Sequence, residues 1–316
     1  MNLNPKQVAE LLAQKDNITI LTHFHPDGDT LGSAVALQRA LRSLGKKVNF
    51  LNNDPVHPKY AYLWEGLQKQ AFEEQFVMAV DIATEELLGD DLREKYSGNI
   101  ALAIDHHPSH TFFAKDTCLE EDSAAAAEIV YYIIKHLGAE IDEKIASCIY
   151  TGISTDTGCF KFRNTTARTF YIAGVMKDFG ADTENINEVM FEMKTRGELE
   201  LERRLLEKME YHLEDRLAIA VITQEMYRQT GTSEDECEYI AALPRQVAGV
   251  MAGITIRERT NGTWKASVRT RPPMDASAIC QAFGGGGHTN AAGCRFEGTL
   301  EQFKEKFIAV VAEELE

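Results

Sequence analysis

The chain has 316 residues, with 33 Lys or Arg against 49 Asp or Glu, so its formal net charge is −16. Hydrophobic residues make up 44% and charged residues 26% of the sequence, which excludes a disordered or low-complexity protein and leaves room for about two domains. The acidic excess excludes a protein that binds long duplex DNA through overall basicity, but a local basic patch could still bind small nucleotides. Residues 244–295 form such a patch, with seven basic and two acidic side chains.

The spacing of the cysteines and the character of the N-terminal segment bear on where in the cell the protein is found. Six cysteines are scattered along the chain without a C-x-x-C pair, a pattern typical of reduced thiols and not of a disulfide scaffold or a thiolate zinc site. The opening MNLNPKQVAELLAQKDN is a polar amphipathic helix candidate without the apolar core of a signal peptide, and no apolar run is long enough to cross a membrane. We therefore expect a cytoplasmic protein that does not insert into membranes.

The first 160 residues alternate short apolar runs with helical patterns. Four runs have the length of a strand: ITILT (18–22), KVNFLN (47–52), FVMAVD (76–81) and IALAID (100–105). Between the first two, apolar residues at helical spacing stop at Gly45, a typical residue just past a helix end. Two more helices are predicted, one from near Asp122 and Ser123 to Gly138 and one over 142–153. This alternation predicts βαβ units and a largely parallel sheet.

The second half predicts a long helical segment and a second α/β pattern. The pattern is helical from 166 to about 213, and its last part is so charged that it is typical of a connecting helix with a solvated outer face. Strands are then predicted at 217–223, 247–258 and 263–270, followed by a short helix from Asp275, a glycine run and a terminal helix. We predict an α/β protein with a catalytic domain over 1–195, whose mostly parallel sheet is flanked by helices, a connecting helix over 196–215 and a smaller α/β domain over 216–316. The active site is expected in the cleft between the domains.

Acidic side chains follow the first and third predicted strands. THFHPDGDTLGS (22–33) comes directly after the first strand, and its Pro and Gly bend the backbone so that Asp27 and Asp29 can face one point. Taken alone, this turn could be structural, because Asp29 or Thr30 could simply cap the next helix. Asp81, the last residue of FVMAVD, is also compatible with an N-cap. These two segments therefore indicate a site only if other candidate ligands are predicted at the same edge of the sheet.

Two more clusters of candidate ligands are predicted near the ends of other elements. Asp105, His106 and His107 end another apolar strand, and Asp156 stands in TGISTDTGCF after a helix. Because open α/β sheets bind ligands at the carboxyl ends of their strands, we expect all four clusters to meet there. Carboxylates with a few imidazoles and no thiolates suit manganese, or iron or cobalt, better than a zinc finger or a calcium loop. The ligands outnumber the needs of one ion and predict two, about 3.5–4 Å apart and bridged by a carboxylate, as in phosphoester hydrolysis.

The same segments carry a resemblance to a known family. HFHPDGD, the VD at 80–81, the DHH at 105–107 and STDTG resemble the four motifs of the DHH phosphoesterase superfamily. SVRT (267–270) and GGGGHTNAAG (284–293) resemble the DHH-associated domain that follows in many members, so the resemblance covers almost the whole chain. A chain of this size is most similar to the nanoRNase/pAp phosphatase (NrnA-like) branch. That branch implies two Mn²⁺, with Mg²⁺, Co²⁺ or Fe²⁺ as alternatives, and substrates that are short oligoribonucleotides, dinucleotides such as pApA or pGpG, and pAp.

The resemblance also implies roles for individual residues. The residues implied to hold the first manganese are His23, Asp27 and Asp81. Those implied to hold the second are Asp29, Asp81, His106 and Asp156, which makes Asp81 the bridge and a catalytic residue. His107 is implied to face the substrate phosphate or the leaving oxygen, and Asp105 to orient an imidazole. His25 stands where relatives often carry Asn and receives no ligand role.

The basic second half offers residues for binding the substrate. The run Gly284–Gly287 lacks the Lys-Ser/Thr of a P-loop and the spacing of a Rossmann fingerprint. A bare glycine run is typical of a flexible surface turn, but the adjoining His288 and the basic strand with Arg269 favour a main-chain anion site. Arg271 shares a strand face with Arg269, and Arg269 is the one we expect to pair with a phosphate. The predicted substrate-binding residues are Arg269, Gly284, Gly285, Gly286, Gly287 and His288.

Three other functions share part of this pattern. A family II inorganic pyrophosphatase would share the metal motifs, but its Lys/Arg-rich phosphate motif is absent here. A cyclic-dinucleotide phosphodiesterase is closer, and the sequence leaves activity on c-di-AMP open. A non-catalytic nucleotide-binding regulator would keep the fold, and the complete metal motifs count against it. The expected partners are the small nucleotide substrates, with no long duplex nucleic acid and no membrane; a homodimer is compatible with the sequence.

Overall fold

The computed structural model describes residues 1–234 and 237–315, and the chain divides into two compact units, Met1–Met193 and Lys194–Glu316. The strands of the first unit are β1 (Ile18–Leu21), β2 (Val48–Leu51), β3 (Phe76–Val80), β4 (Leu102–Asp105) and β5 (Asp116–Leu119). Its helices are α1 (Pro5–Ala13), α2 (Gly28–Ser43), α3 (Asp90–Tyr96), α4 (Ala126–Leu137), α5 (Glu143–Asp156), α6 (Ala167–Asp178) and α7 (Thr183–Asn187). Short 3₁₀ helices at Pro58–Trp64 and Glu85–Leu88 and a π-helical turn at Glu188–Glu192 complete it.

The sheet of the first unit has the order β2-β1-β3-β4-β5, and every neighbouring pair is parallel. Its strands are short apolar runs because helices cover both faces of a parallel sheet; every residue of β1 and β4 is buried. The order reverses at β1, which lies between β2 and β3. The predicted α/β fold with a parallel first sheet is confirmed.

One strand and two helix boundaries in the first unit differ from the prediction. The sequence did not predict β5, which is short and begins with an aspartate. Helix α4 begins at Ala126 and not near Asp122. Its first N–H groups are bonded by the carboxylate of Asp29 in α2. The helix predicted over 142–153 continues to Asp156, so this aspartate ends the helix instead of following it.

The second unit has a mixed sheet. Its strands are β6 (Glu210–His212), β7 (Leu217–Ile222), β8 (Ala252–Glu258), β9 (Trp264–Thr270), β10 (Gly286–His288) and β11 (Ala291–Phe296). Its helices are α8 (Arg196–Glu207), α9 (Gln224–Thr230), α10 (Ala276–Gln281) and α11 (Leu300–Glu314), with 3₁₀ turns at Glu238–Ala242 and Pro244–Gln246. The sheet order is β10-β11-β9-β8-β7-β6, in which only β7 and β8 pair in parallel.

The helix predicted over 196–215 is wrong in its second half. Helix α8 ends at Glu207, and β6 follows at the edge of the second sheet. Its buried leucines, Leu201 and Leu205, pack into a core of the second unit together with Ile222. The helix therefore belongs to the fold of this unit. Over the described residues, no helix combines the length and the apolar character needed to span a bilayer.

Candidate active site

The candidate side chains gather where the parallel strands end. His23 and Asp27 follow β1, Asp81 follows β3, and His106 follows β4. These three strands are neighbours, and β1 is the strand at which the order of the sheet reverses. A crevice forms at such a reversal because the loops on its two sides run in opposite directions, and ligands of open α/β sheets bind there.

The carboxylate of Asp27 both caps a helix and lies beside a histidine. Its Oδ1 accepts the N–H groups of Asp29 at 3.0 Å and Thr30 at 3.1 Å, so it is the N-cap of α2. The same oxygen lies 3.6 Å from Nε2 of His23, and that Nε2 lies 3.8 Å from Oδ2 of Asp81. His23 donates its Nδ1–H to the Phe24 carbonyl at 2.8 Å, which leaves Nε2 for the carboxylates. His23, Asp27 and Asp81 thus form one group that could hold a metal ion.

Asp29 joins two helices. It lies in the first turn of α2, but its carboxylate accepts the N–H groups of Ala126 at 2.6 Å and Ala127 at 3.0 Å, at the start of α4. No side chain of α4 itself caps this end. Ser33 donates to the same carboxylate at 3.2 Å. The carboxylate of Asp29 therefore accepts three hydrogen bonds, and its Oδ2 also lies 3.8 Å from Nε2 of His106.

His106 faces three carboxylates through one nitrogen. Its Nε2 lies 3.5 Å from Oδ1 of Asp81 and 3.5 Å from Oδ2 of Asp156, besides the contact with Asp29. Its Nδ1 is held by the carbonyl of Ser123 at 3.1 Å. Both Nε2 of His106 and Oδ1 of Asp81 are buried without a hydrogen-bond partner. Buried polar atoms without partners are costly, and a cation among these oxygens would give both a partner.

The pKa values of the clustered side chains also favour a cation at this site. Burial and the negative charges of Asp81 and Asp156 raise the pKa of Asp29 well above its ordinary value. Burial, assisted by Asp81, raises the pKa of Asp156 to about 7. Burial would lower the pKa of His106, but its carboxylate neighbours outweigh that effect and raise the pKa to about 10. The carboxylates are thus too close to be ionised together unless positive charge lies among them.

Asp81 reaches the centre of the cluster from a left-handed backbone. Its φ is +61°, a region that costs most residues about 1–2 kcal/mol and that Asp and Asn tolerate better than others. Its N–H still donates to the Ile104 carbonyl at 2.8 Å, so the chain turns sharply while it remains attached to β4. Strained backbone of this kind concentrates at functional sites.

A second imidazole follows in the same loop. Nδ1 of His107 lies 2.8 Å from Oδ1 of the fully buried Asp105, and 43% of the His107 side chain is exposed. Oδ2 of Asp105 accepts from Nδ1 of His110 at 2.9 Å. Burial would raise the pKa of Asp105, but the hydrogen bonds from His107 and His110 hold it below its ordinary value. The sequence did not single out His110, although its place five residues after Asp105 in DHHPSH was a usable signal.

Comparisons with known proteins identify the family. Residues 17–153 match the model described as "DHH family, N-terminal domain", and residues 215–316 match the DHHA1 domain. The chain belongs to the DHH family. The predicted family is therefore confirmed, in both halves of the chain.

Relatives and solved structures extend this finding. The chain is similar to the bifunctional oligoribonuclease and PAP phosphatase NrnA of Thermus thermophilus, with 31% identity over 98% of this chain and 93% of the relative. An exopolyphosphatase-related protein from Bacteroides fragilis superposes with a TM-score of 0.87 at 23% identity, covering 98% of this chain and 95% of that one. The exonuclease RecJ bound to manganese gives a TM-score of 0.56 at 14% identity, covering 99% and 95% of the two chains. The two structures show that the fold is shared.

The DHHA1 domain of this DHH-family chain contains the predicted phosphate-binding residues. Arg269 on β9 pairs with Ala291 on β11, which pairs with His288 on β10, so all three lie in one row across the sheet. Directly paired residues share a face, and the row places Arg269 and His288 on the same side. Two glycines of the run have a packing role, because a side chain at Gly285 or Gly287 would collide with β11. The run itself ends in the edge strand β10 and is less of a loop than the sequence suggested.

His25 lies outside the metal-ligand groups. Its N–H donates to Oδ2 of Asp54 at 2.8 Å, and its Nδ1 lies 3.1 Å from the same carboxylate. The prediction gave it no ligand role, and its partner in the structure is an aspartate outside the cluster.

Proposed function

We propose that this chain is a metal-dependent phosphoesterase that cleaves short oligoribonucleotides and dinucleotides to mononucleotides and converts pAp to AMP. One observation supports it most: buried Asp81 and His106 face each other with unpartnered atoms in the middle of the acidic cluster. The relative named an oligoribonuclease and PAP phosphatase spans nearly the full length of both chains, which supports this substrate class.

The residues present fit two divalent ions. One ion would be held by His23, Asp27 and Asp81, and the other by Asp29, Asp81, His106 and Asp156. Oxygen and imidazole donors without thiolates suit Mn²⁺, and RecJ, which shares the fold, is bound to manganese in its structure. When bound, such ions supply Lewis-acid polarisation of a phosphoryl oxygen and activation of water.

The chain's own residues orient the substrate. Asp105 holds Nδ1 of His107, so Nε2 is the atom that His107 presents to an oxygen of the phosphate or of the leaving group. The hydrogen bond that Nδ1–H of His107 donates to Asp105 raises the pKa of His107, which favours an imidazolium able to donate from Nε2. In the DHHA1 domain, the Arg269 guanidinium would pair with a second phosphate, with His288 and the glycine run beside it.

The test is hydrolysis of pApA and pAp by the purified chain, with and without Mn²⁺, followed by chromatography of AMP. We expect turnover that depends on metal, and a loss of more than about a thousandfold in kcat for Asp81→Asn, equivalent to about 4 kcal/mol of transition-state stabilisation. Asp90→Asn is the matched control, because the side chain of Asp90 is fully exposed on α3. No turnover of either substrate by protein with metal bound would overturn the proposal.

The same assay separates the competing functions and the choice of metal. Hydrolysis of c-di-AMP or of pyrophosphate in place of pApA would assign the chain to another DHH activity. Binding of pAp without turnover would indicate a regulator. Replacing Mn²⁺ by Mg²⁺, Co²⁺ or Fe²⁺ in a chelated preparation tests the preference for manganese. A cytoplasmic location and a homodimer stay predictions, which fractionation and light scattering can check.

A further inference from the structure

A tight turn brings two imidazoles to one carboxylate. The N–H of His110 donates to the carbonyl of His107 at 3.1 Å, and Pro108 occupies the second position of the turn, where its fixed φ is favourable. The side chains at the two ends of the turn both point back to Asp105. Four consecutive residues, 107–110, are thus enough to bring both rings to the same carboxylate.

The carboxylate of Asp105 is shared, one oxygen to each ring. Oδ1 lies 2.8 Å from Nδ1 of His107, and Oδ2 lies 2.9 Å from Nδ1 of His110. Because an ionised carboxylate can only accept, both Nδ1 atoms donate, so Nδ1 of each ring carries a proton. The side chains of Asp105 and His110 are completely buried, whereas that of His107 is 43% exposed. The buried ring of His110 therefore holds Oδ2, and the more exposed ring of His107 is oriented by its hydrogen bond to Oδ1.

His110 is itself firmly held. Its ring packs against Phe112 and Phe113, with centroid separations of 5.3 Å and 5.2 Å. The next residue, Thr111, donates its N–H to the Ala83 carbonyl at 2.9 Å, which ties the segment to the loop after β3. His110 can therefore act as a fixed support for Asp105.

The remaining nitrogen of His110 argues against a role in packing alone. Its Nε2 is buried without a hydrogen-bond partner. A buried polar atom without a partner costs about 1–3 kcal/mol, which an apolar side chain of similar size would avoid. The one bond that the ring makes through its other nitrogen, to Asp105, is what an apolar side chain could not supply.

We propose that His110 is a positioning residue: it holds Oδ2 of Asp105, so that Oδ1 stays on His107 and Nε2 of His107 stays directed at the substrate. This inference rests on the proposed phosphoesterase function. Without His110 the carboxylate can rotate about its Cβ–Cγ bond, and the exposed ring of His107 is free to change tautomer and orientation. Outer groups that orient a functional imidazole are typically worth about 10–100-fold in activity.

Two substitutions separate the hydrogen bond from the packing. His110→Asn places an amide N–H where Nδ1 of His110 now donates, and it removes the rest of the ring. His110→Leu fills a similar volume and donates nothing. We expect His110→Leu to lower kcat for pApA about 10–100-fold with little change in KM, and His110→Asn to restore most of it. Should urea melts show that the leucine variant is unfolded, His110→Ala tests the same loss.

A spectroscopic measurement decides the matter independently of turnover. Long-range ¹H–¹⁵N spectra of the imidazoles, recorded on metal-free protein at one fixed pH at which the His107 ring is neutral and assigned with His107→Gln, report the tautomer of His107. We expect Nδ1–H in the wild type and in His110→Asn, and a mixture of tautomers in His110→Leu. An unchanged His107 tautomer in His110→Leu, or equal loss of kcat in the Asn and Leu variants, would overturn the proposal. If the wild type turns over no nucleotide, the proposed function fails, and the tautomer still decides the role of His110.

Discussion

Single residues in this site serve the fold and the chemistry together. Asp27 caps its own helix, and Asp29 caps a helix almost a hundred residues away, yet both remain beside a histidine that could share a metal ion with them. Protonated imidazoles offset the carboxylate charges when no cation is present, as the raised pKa values of His23 and His106, about 9 and about 10, indicate. A metal ion that bound to this cluster would therefore displace these protons.

This exchange predicts how Mn²⁺ affinity depends on pH. His23 and His106 carry protons at neutral pH in the metal-free protein, and both protons must leave before Nε2 can bind a metal. The dissociation constant should therefore fall as the pH rises from about 6.5 to about 8.5, by roughly tenfold per pH unit for each proton released. Titration calorimetry in two buffers of different ionisation enthalpy counts the protons. A dissociation constant that does not change over this range would contradict the prediction.

The residue types of the site were readable from the sequence, but their partners were not. Asp27, Asp81 and His106 stand in short motifs at the ends of apolar runs, so the chemistry of the cluster could be predicted. The bond from Asp29 to the start of α4 could not, because the two segments meet only in the folded chain. His110 escaped notice for the same reason: its significance depends on sharing Asp105 with His107.

At the scale of elements, three helices pack unusually closely around Asp29. A side chain at Gly32 of α2 would collide with the Cys148 carbonyl of α5. A Cβ at Gly152 of α5 would lie 2.6 Å from Cβ of Ala127 and 2.7 Å from Oδ1 of Asp29. These glycines allow α2, α4 and α5 to approach, and their contact fixes the carboxylate of Asp29.

Gly152→Ala should therefore disturb both stability and the metal site. We expect it to lower the free energy of unfolding by about 1–3 kcal/mol, because the added methyl overfills the helix crossing, and to weaken Mn²⁺ binding by displacing Asp29. Gly174→Ala on α6 is the matched control: a Cβ there meets nothing within 4 Å, and alanine should stabilise this helix by about 0.5–1 kcal/mol. Urea melts and calorimetry check both. Equal behaviour of the two variants would show that the crossing is not tight.

The elements that could be predicted are those with a strong local pattern. Strands β1 to β4 are buried apolar runs and were found within one or two residues. Strands β5, β6 and β10 were missed because they are short edge strands, and β11 was missed because its sequence AAGCRF has no continuous apolar run. The charged helix was predicted too long, because helical spacing continues through Leu213, where the backbone in fact enters a left-handed turn from Leu213 to Asp215.

At the scale of the whole molecule, the predicted metal ligands and the predicted phosphate-binding residues belong to different units. All six candidate metal ligands belong to Met1–Met193, whereas Arg269 and the glycine run belong to Lys194–Glu316. Each unit has its own buried core. The overall charge of −16 therefore conceals a basic segment in the second unit, which suits a protein that binds small anions.

This division predicts what separate units would do. Residues 1–193 expressed alone should bind Mn²⁺ with a dissociation constant within about twofold of that of the full chain, because independent sites agree to about 0.5 kcal/mol. They should hydrolyse pApA poorly, because the proposed phosphate-binding residues are missing. Calorimetry and the AMP assay measure the two properties, with residues 194–316 as the control that should bind no Mn²⁺. Full activity of the first unit alone would contradict the role proposed for Arg269.

The left-handed backbone at Asp81 also bears on attempts to improve this protein. In metal-free protein, Asp81 combines an unfavourable φ with a buried oxygen that has no hydrogen-bond partner, and asparagine tolerates the same conformation well while its amide can also donate. A laboratory selection for heat resistance in the presence of a chelator would therefore favour the loss of the residue that the reaction most needs. Selection with Mn²⁺ present reverses the advantage, since bound metal stabilises only the folded chain that keeps its ligands. The composition of the growth medium would thus decide whether evolution in the laboratory yields a robust enzyme or a robust but inactive fold.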